Sequence, residues 1–116
     1  MTHHFRTFLP GVLATFLVVS AAARADGQDQ VHRGHEVALH ICATCHAAER
    51  GQTLSPYKAA PPFDQIANAP AMTKLALRVA LQSSHRVMPN IKLTDSQRAD
   101  VIVYIVTLKR ERPRGD

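Results

Sequence analysis

Two cysteines three positions apart, followed at once by a histidine, constrain this chain more than any other feature: Cys42-Ala43-Thr44-Cys45-His46. These are the only two cysteines, so a scaffold stapled by several disulfides is excluded. A disulfide between them would close too small a loop to stabilise much. A thioredoxin-like dithiol needs a βαβ context, and no such pattern surrounds the pair. A zinc site needs four ligands, usually two such pairs. The remaining reading uses all three residues. Two thiols at this spacing can add across the two vinyl groups on one side of a porphyrin, and the adjacent imidazole then faces the iron. C-x-x-C-H is the attachment signature of a c-type haem. One covalent haem c on Cys42 and Cys45 is therefore expected, with His46 as proximal iron ligand.

A staple of this kind suits the size of the chain. It has 116 residues, at most one domain, and its 46% hydrophobic content argues against wholesale disorder. Residues 1–25 read as a secretory leader. Arg6 is its positive end, Leu9 to Val19 is mostly apolar, and Ala23-Arg24-Ala25 is an A-x-A cleavage pattern. Cleavage after Ala25 is expected, leaving a domain at 26–116 and a periplasmic protein. The rival is an uncleaved anchor, although Pro10, Gly11, Thr15 and Ser20 interrupt the apolar run. A domain this small buries a modest share of its surface and needs help from tight packing or a covalent link.

Much of the +5 net charge lies at the ends. Residues 1–25 hold Arg6 and Arg24 and no acid, and 109–116 form a basic segment expected to be a flexible tail. The body between keeps about +1, which gives no basic face for nucleic acid. A monomer is expected.

Along the mature chain, Asp26 to Gln30 reads as a polar lead-in and Val31 to Ile41 as a helix. Ala47 to Asn68 is loop-like, with Gly51, Pro56, Pro61 and Pro62, and allows a short helical turn at Phe63–Ala67. So long an irregular stretch implies that it wraps something. Thr73 is a candidate N-cap for a helix to Ser84. Thr94-Asp95-Ser96-Gln97 fits a capping box opening a helix to Lys109 or Arg110. The β-branched run Val101–Val106 argues for a strand instead, but the cap, the first-turn acid and the terminal cations favour a helix.

The sixth iron ligand must come from downstream. Met88-Pro89, in a loop between two helices, is the leading donor. A thioether opposite an imidazole raises the reduction potential. Met72, before a helix start, and His85 compete with it. His32, His35 and His40 read as solvated.

These features together resemble a class I cytochrome c of the small bacterial type over residues 31–108. The resemblance rests on Gly34-His-Glu-Val-Ala-Leu-His-Ile-Cys-Ala-Thr-Cys-His46, on Met88, and on Arg98-Ala-Asp-Val-Ile-Val-Tyr-Ile105. It implies an all-α fold of three to four helices around one haem. First and last helices would approach through Gly34 and Tyr104. Where the family often has an aromatic four residues after that glycine, this chain has Ala38. A carbonyl of Pro61 or Pro62 would accept a hydrogen bond from the proximal imidazole. Tyr57 would either cap a haem propionate or pack half-buried. Val101, Ile105 and Leu108 would face the porphyrin.

The function so implied is one-electron transfer between redox protein partners, not catalysis, with Lys58, Lys74, Arg78, Arg86 and Lys92 available to steer an acidic partner. A haem enzyme or gas sensor with a labile sixth ligand is the alternative, as is a haem subunit of a membrane redox complex. No dedicated distal acid–base pair is visible for the former.

Overall fold

The computed structural model describes residues 12–83, 88–89 and 91–110, with side chains from residue 24 onward. It contains α1 (Val12–Val37), a π-helical turn (Ala38–Cys42), α2 (Phe63–Asn68), α3 (Lys74–Gln82) and α4 (Asp95–Thr107), and no strand among the described residues. The all-α class expected from the sequence is the observed one. None of the described helices is long and apolar enough to cross a membrane.

Helix α4 shows why the cap outweighs the β-branched run. Thr94 Oγ1 accepts from the Gln97 backbone at 3.1 Å, and Gln97 Oε1 accepts from the Thr94 backbone at 3.0 Å. The start is thus fixed from both sides. Val101, Ile102, Tyr104, Ile105 and Leu108 then fall at helical spacing and are all buried. Burial of that stripe overrides the local strand preference. In α3, Thr73 caps Ala76 at 3.1 Å, and Leu77 is the residue turned into the core.

Two expectations need correction. The lead-in Asp26 to Gln30 is helical, because α1 runs unbroken through it. Once a helix is nucleated, extending it by exposed polar residues costs little. Helix α4 ends at Thr107, short of the expected Lys109 or Arg110. Lys109 Nζ donates to the Met72 carbonyl, and the Arg110 backbone donates to Asn68 Oδ1 at 2.8 Å. Residues 111–116 lie outside the described residues.

The main helix pair is α1 with α4, and it closes on Gly34. A Cβ there would overlap the Asp100 carbonyl and come within 2.8 Å of Tyr104 Cβ. Only glycine lets the two backbones approach this far. Beside the contact, Arg33 Nε donates to the buried Asp100 carboxylate at 3.0 Å, so the charge brought under the crossing is paired. The core continues through Ala38, Ala48, Phe63, Ala67 and Leu77.

Gly34→Ala should gain about 1 kcal/mol of helix propensity. It should lose more to overpacking, at the upper end of about 1–3 kcal/mol because the atoms met are backbone. A net destabilisation of about 2 kcal/mol in denaturant unfolding of the haem-loaded protein is expected.

Candidate functional site

The chemistry-bearing segment begins where α1 changes its winding. The Ala43 N–H bonds to the Ala38 carbonyl at 2.8 Å, a five-residue step that widens the last turn into a π-helix. Such turns recur at functional sites. The Cys42 carbonyl then accepts from both Cys45 N–H at 3.0 Å and His46 N–H at 2.9 Å. The chain folds back around one oxygen, which brings the two cysteines and the histidine into one tight turn.

Both thiols are free. Burial pushes the Cys42 thiol up to about 11. A redox dithiol instead sits at a helix N-terminus, which lowers its thiol pKa and makes the nucleophilic thiolate. Here the pair follows the C-terminal end of a helical segment, and desolvation works in the opposite direction. Among the described residues no group of three or more His, Cys, Asp or Glu is placed to hold a metal ion.

His46 is oriented through its ring. Nδ1 lies 2.7 Å from the Pro61 carbonyl oxygen. A carbonyl can only accept, so Nδ1 carries the proton and Nε2 holds the free lone pair. The choice between the two proline carbonyls has a local cause. The Pro62 carbonyl is taken by Ile66 N–H at 3.0 Å in the first turn of α2, while that of Pro61 is free to meet the imidazole. The Phe63 ring packs against His46 with centroids 5.3 Å apart.

The irregular segment 47–62 is sewn around this turn. Ala47 N–H donates to Ser55 Oγ at 2.9 Å, Tyr57 N–H to the Cys45 carbonyl at 3.1 Å, and Phe63 N–H to the Ala47 carbonyl at 2.9 Å. From α4, Tyr104 Oη donates to the Ala48 carbonyl at 2.9 Å. Burial and the nearby Glu49 carboxylate raise the Tyr104 phenol above its ordinary value, against an opposing pull from Arg50. A cavity of about 490 Å³ opens beside His46, bounded by Leu39, Ala43, Leu54 and Pro56.

The other candidates are spread around this centre. The Tyr57 side chain is exposed. Val101 and Ile105 are 1% and 3% exposed, so polypeptide already covers nearly all of each side chain. Leu108 is equally enclosed. Met88 is half-buried at a bend, and Met72 packs against the core. His85 and Arg86 lie outside the described residues. His32 and His40 flank Glu36, at 4.0 and 3.1 Å, on the exposed side of α1. His35 stacks against Tyr104 at 4.9 Å. Sequence reasoning did not assign roles to Ser55, Phe63 and Asn68. Ser55 and Asn68 act through backbone partners that no local pattern reveals.

Two unpaired thiols and an imidazole with its Nε2 lone pair free form a donor set that fits a covalently attached haem. The Cytochrome c family model matches residues 31–109.

The chain belongs to the cytochrome c family. It is also similar to cytochrome c-552 of Bradyrhizobium diazoefficiens, 29% identical over 101 residues that span 87% of this chain and 95% of that protein. No solved structure matches the chain. As a cytochrome c it carries covalent haem c and transfers electrons to and from redox protein partners.

Tyr104→Phe should keep the haem and cost about 1–3 kcal/mol, because the buried Ala48 carbonyl is left without its partner. A raised phenol pKa stabilises the fold below its ordinary value of 10.0 and loses that contribution as pH climbs through the folded value. The wild-type protein should therefore lose stability above about pH 10, and the variant should lack that part of the slope, both read by unfolding at a series of pH values.

Proposed function

We propose that this cytochrome is a periplasmic one-electron carrier whose single haem is bound by Cys42 and Cys45 and held at iron by His46 and Met88. The reading rests above all on the 2.7 Å contact of His46 Nδ1 with the Pro61 carbonyl. That bond fixes the tautomer a metal-bound imidazole needs and raises the basicity of Nε2. The bound haem supplies the one-electron couple. His46, oriented by Pro61 and packed by Phe63, would hold the iron through Nε2. Met88, half-buried beside Pro89, brings a soft thioether that favours ferrous iron. Held by His46 and Met88, the iron would have no position left for a substrate, and these residues would serve to limit rearrangement between oxidation states.

Export follows from the leader at 1–25, with cleavage after Ala25 giving a mature domain of 26–116. Redox partners would meet the protein in brief encounters of small buried area, as electron-transfer complexes do.

Intact mass and an optical spectrum of the exported protein test this directly. The expected product is the mass of residues 26–116 plus one haem, with a low-spin spectrum in both oxidation states. A colourless product with the mass of its amino acids alone overturns the proposal. Met88→Ala should retain the haem, lower the potential and admit external ligands such as carbon monoxide. An unchanged ferric spectrum would transfer the ligand role to Met72 or His85. Cys42→Ala with Cys45→Ala should leave no covalent haem and a poorly folded chain by circular dichroism.

A further inference from the structure

Helix α2 is six residues long, too short to hold its own orientation in water. Its start nevertheless fixes the proximal side of the site, since Pro61 and Pro62 lead directly into it. Phe63 and Ala67 anchor one face in the core. Apolar contacts of that kind resist separation but are non-directional. One backbone bond, from Phe63 N–H to the Ala47 carbonyl at 2.9 Å, holds the near end, and the side-chain contacts that set the angle of the helix lie at the other end. Asn68 Nδ2 donates to the Leu108 carbonyl at 3.2 Å and to the Asp64 carbonyl at 2.7 Å. Asn68 Oδ1 accepts from the Arg110 N–H at 2.8 Å. The side-chain amide thus pairs with the backbone just past α4 on both its donor and acceptor sides, as a neighbouring strand would. Asp64, one turn earlier on α2, meets the Arg110 guanidinium at 3.4 Å.

We propose that Asn68 is a positioning residue for the haem-bound imidazole. It locks α2 onto the end of α4 and so sets how closely the Pro61 carbonyl holds the His46 Nδ1 proton. This rests on the reading of His46 as the proximal ligand. The bond makes the imidazole a stronger electron donor, which favours the ferric state. Loosening α2 weakens the bond, makes the imidazole a poorer donor and shifts the couple toward ferrous. Because Asn68 acts through a helix that the core still anchors, the effect is smaller than loss of a direct partner, about threefold in the redox equilibrium.

The test uses the haem-loaded protein and two variants. Asn68→Ala removes both hydrogen-bonding sides. Asn68→Asp keeps the shape but sets a carboxylate against the Leu108 carbonyl and the Asp64 side chain. Arg33→Ala is the control, because it unpairs the buried Asp100 in the middle of α4 and should cost stability without touching α2. Redox titration and proton-exchange NMR of the His46 ring are the readouts. Both Asn68 variants should shift the equilibrium about threefold toward ferrous and speed Nδ1–H exchange about tenfold. The control should change neither. Equal potentials and exchange rates in wild type and both Asn68 variants overturn the inference, as does an equal shift in the control. If the wild-type His46 ring resonances carry no displacement from a bound haem, the ligand assignment fails instead, a result separate from any effect of Asn68.

Discussion

The hydrogen bond between the His46 imidazole and the Pro61 carbonyl is the constraint around which this small protein is arranged. An imidazole on a turn could point in several directions and carry its proton on either nitrogen. One carbonyl 2.7 Å away removes both freedoms. That carbonyl is available because the next residue, Pro62, spends its own oxygen on starting α2. The start of α2 is in turn held by Phe63 N–H on the Ala47 carbonyl, one residue beyond His46. The ring and its acceptor therefore belong to a short closed circuit of backbone bonds rather than to two loops that happen to meet.

The rest of the fold holds that circuit in place. Helices α1 and α4 approach at Gly34 to a distance no other residue permits. From this pair, Tyr104 reaches across to the Ala48 carbonyl and ties the last helix to the loop that follows the haem segment. The tie is made by a buried phenol to a buried carbonyl, and leaving the Ala48 oxygen unpaired would be expensive. The loop 47–62 has little regular structure, yet its order comes from hydrogen bonds to fixed partners on three sides.

Much of this was legible in the sequence, and for identifiable reasons. C-x-x-C-H is a local pattern whose chemistry depends on spacing alone. The Thr94 to Gln97 box works within four residues, and the approach of Gly34 to Tyr104 is what the resemblance to the cytochrome c family implies. The parts that were not legible depend on distance along the chain. Asn68 meets Arg110 across forty-two residues, and nothing in either neighbourhood marks the pair. The polar composition at Asp26 to Gln30 predicts a lead-in, whereas an established helix extends through such residues readily. The widened turn at Ala38–Cys42 has no composition of its own at all.

That widened turn has a consequence for how this protein can vary. Each residue added to or removed from a helix rotates everything beyond it by about 100°. The π-turn holds one residue more than an α-helical turn would, and the two cysteines follow immediately. Shortening Ala38–Cys42 by a single residue would let the helix relax to regular winding and so leave the thiols and the imidazole facing much as they do now, whereas the same loss in the regular part of α1 would turn them away. Within this stretch Cys42 is held by the haem it would bind and Ala38 by the core, so drift of side chains is confined to the residues between them, while the one-residue surplus gives the turn a slack that the rest of the helix lacks.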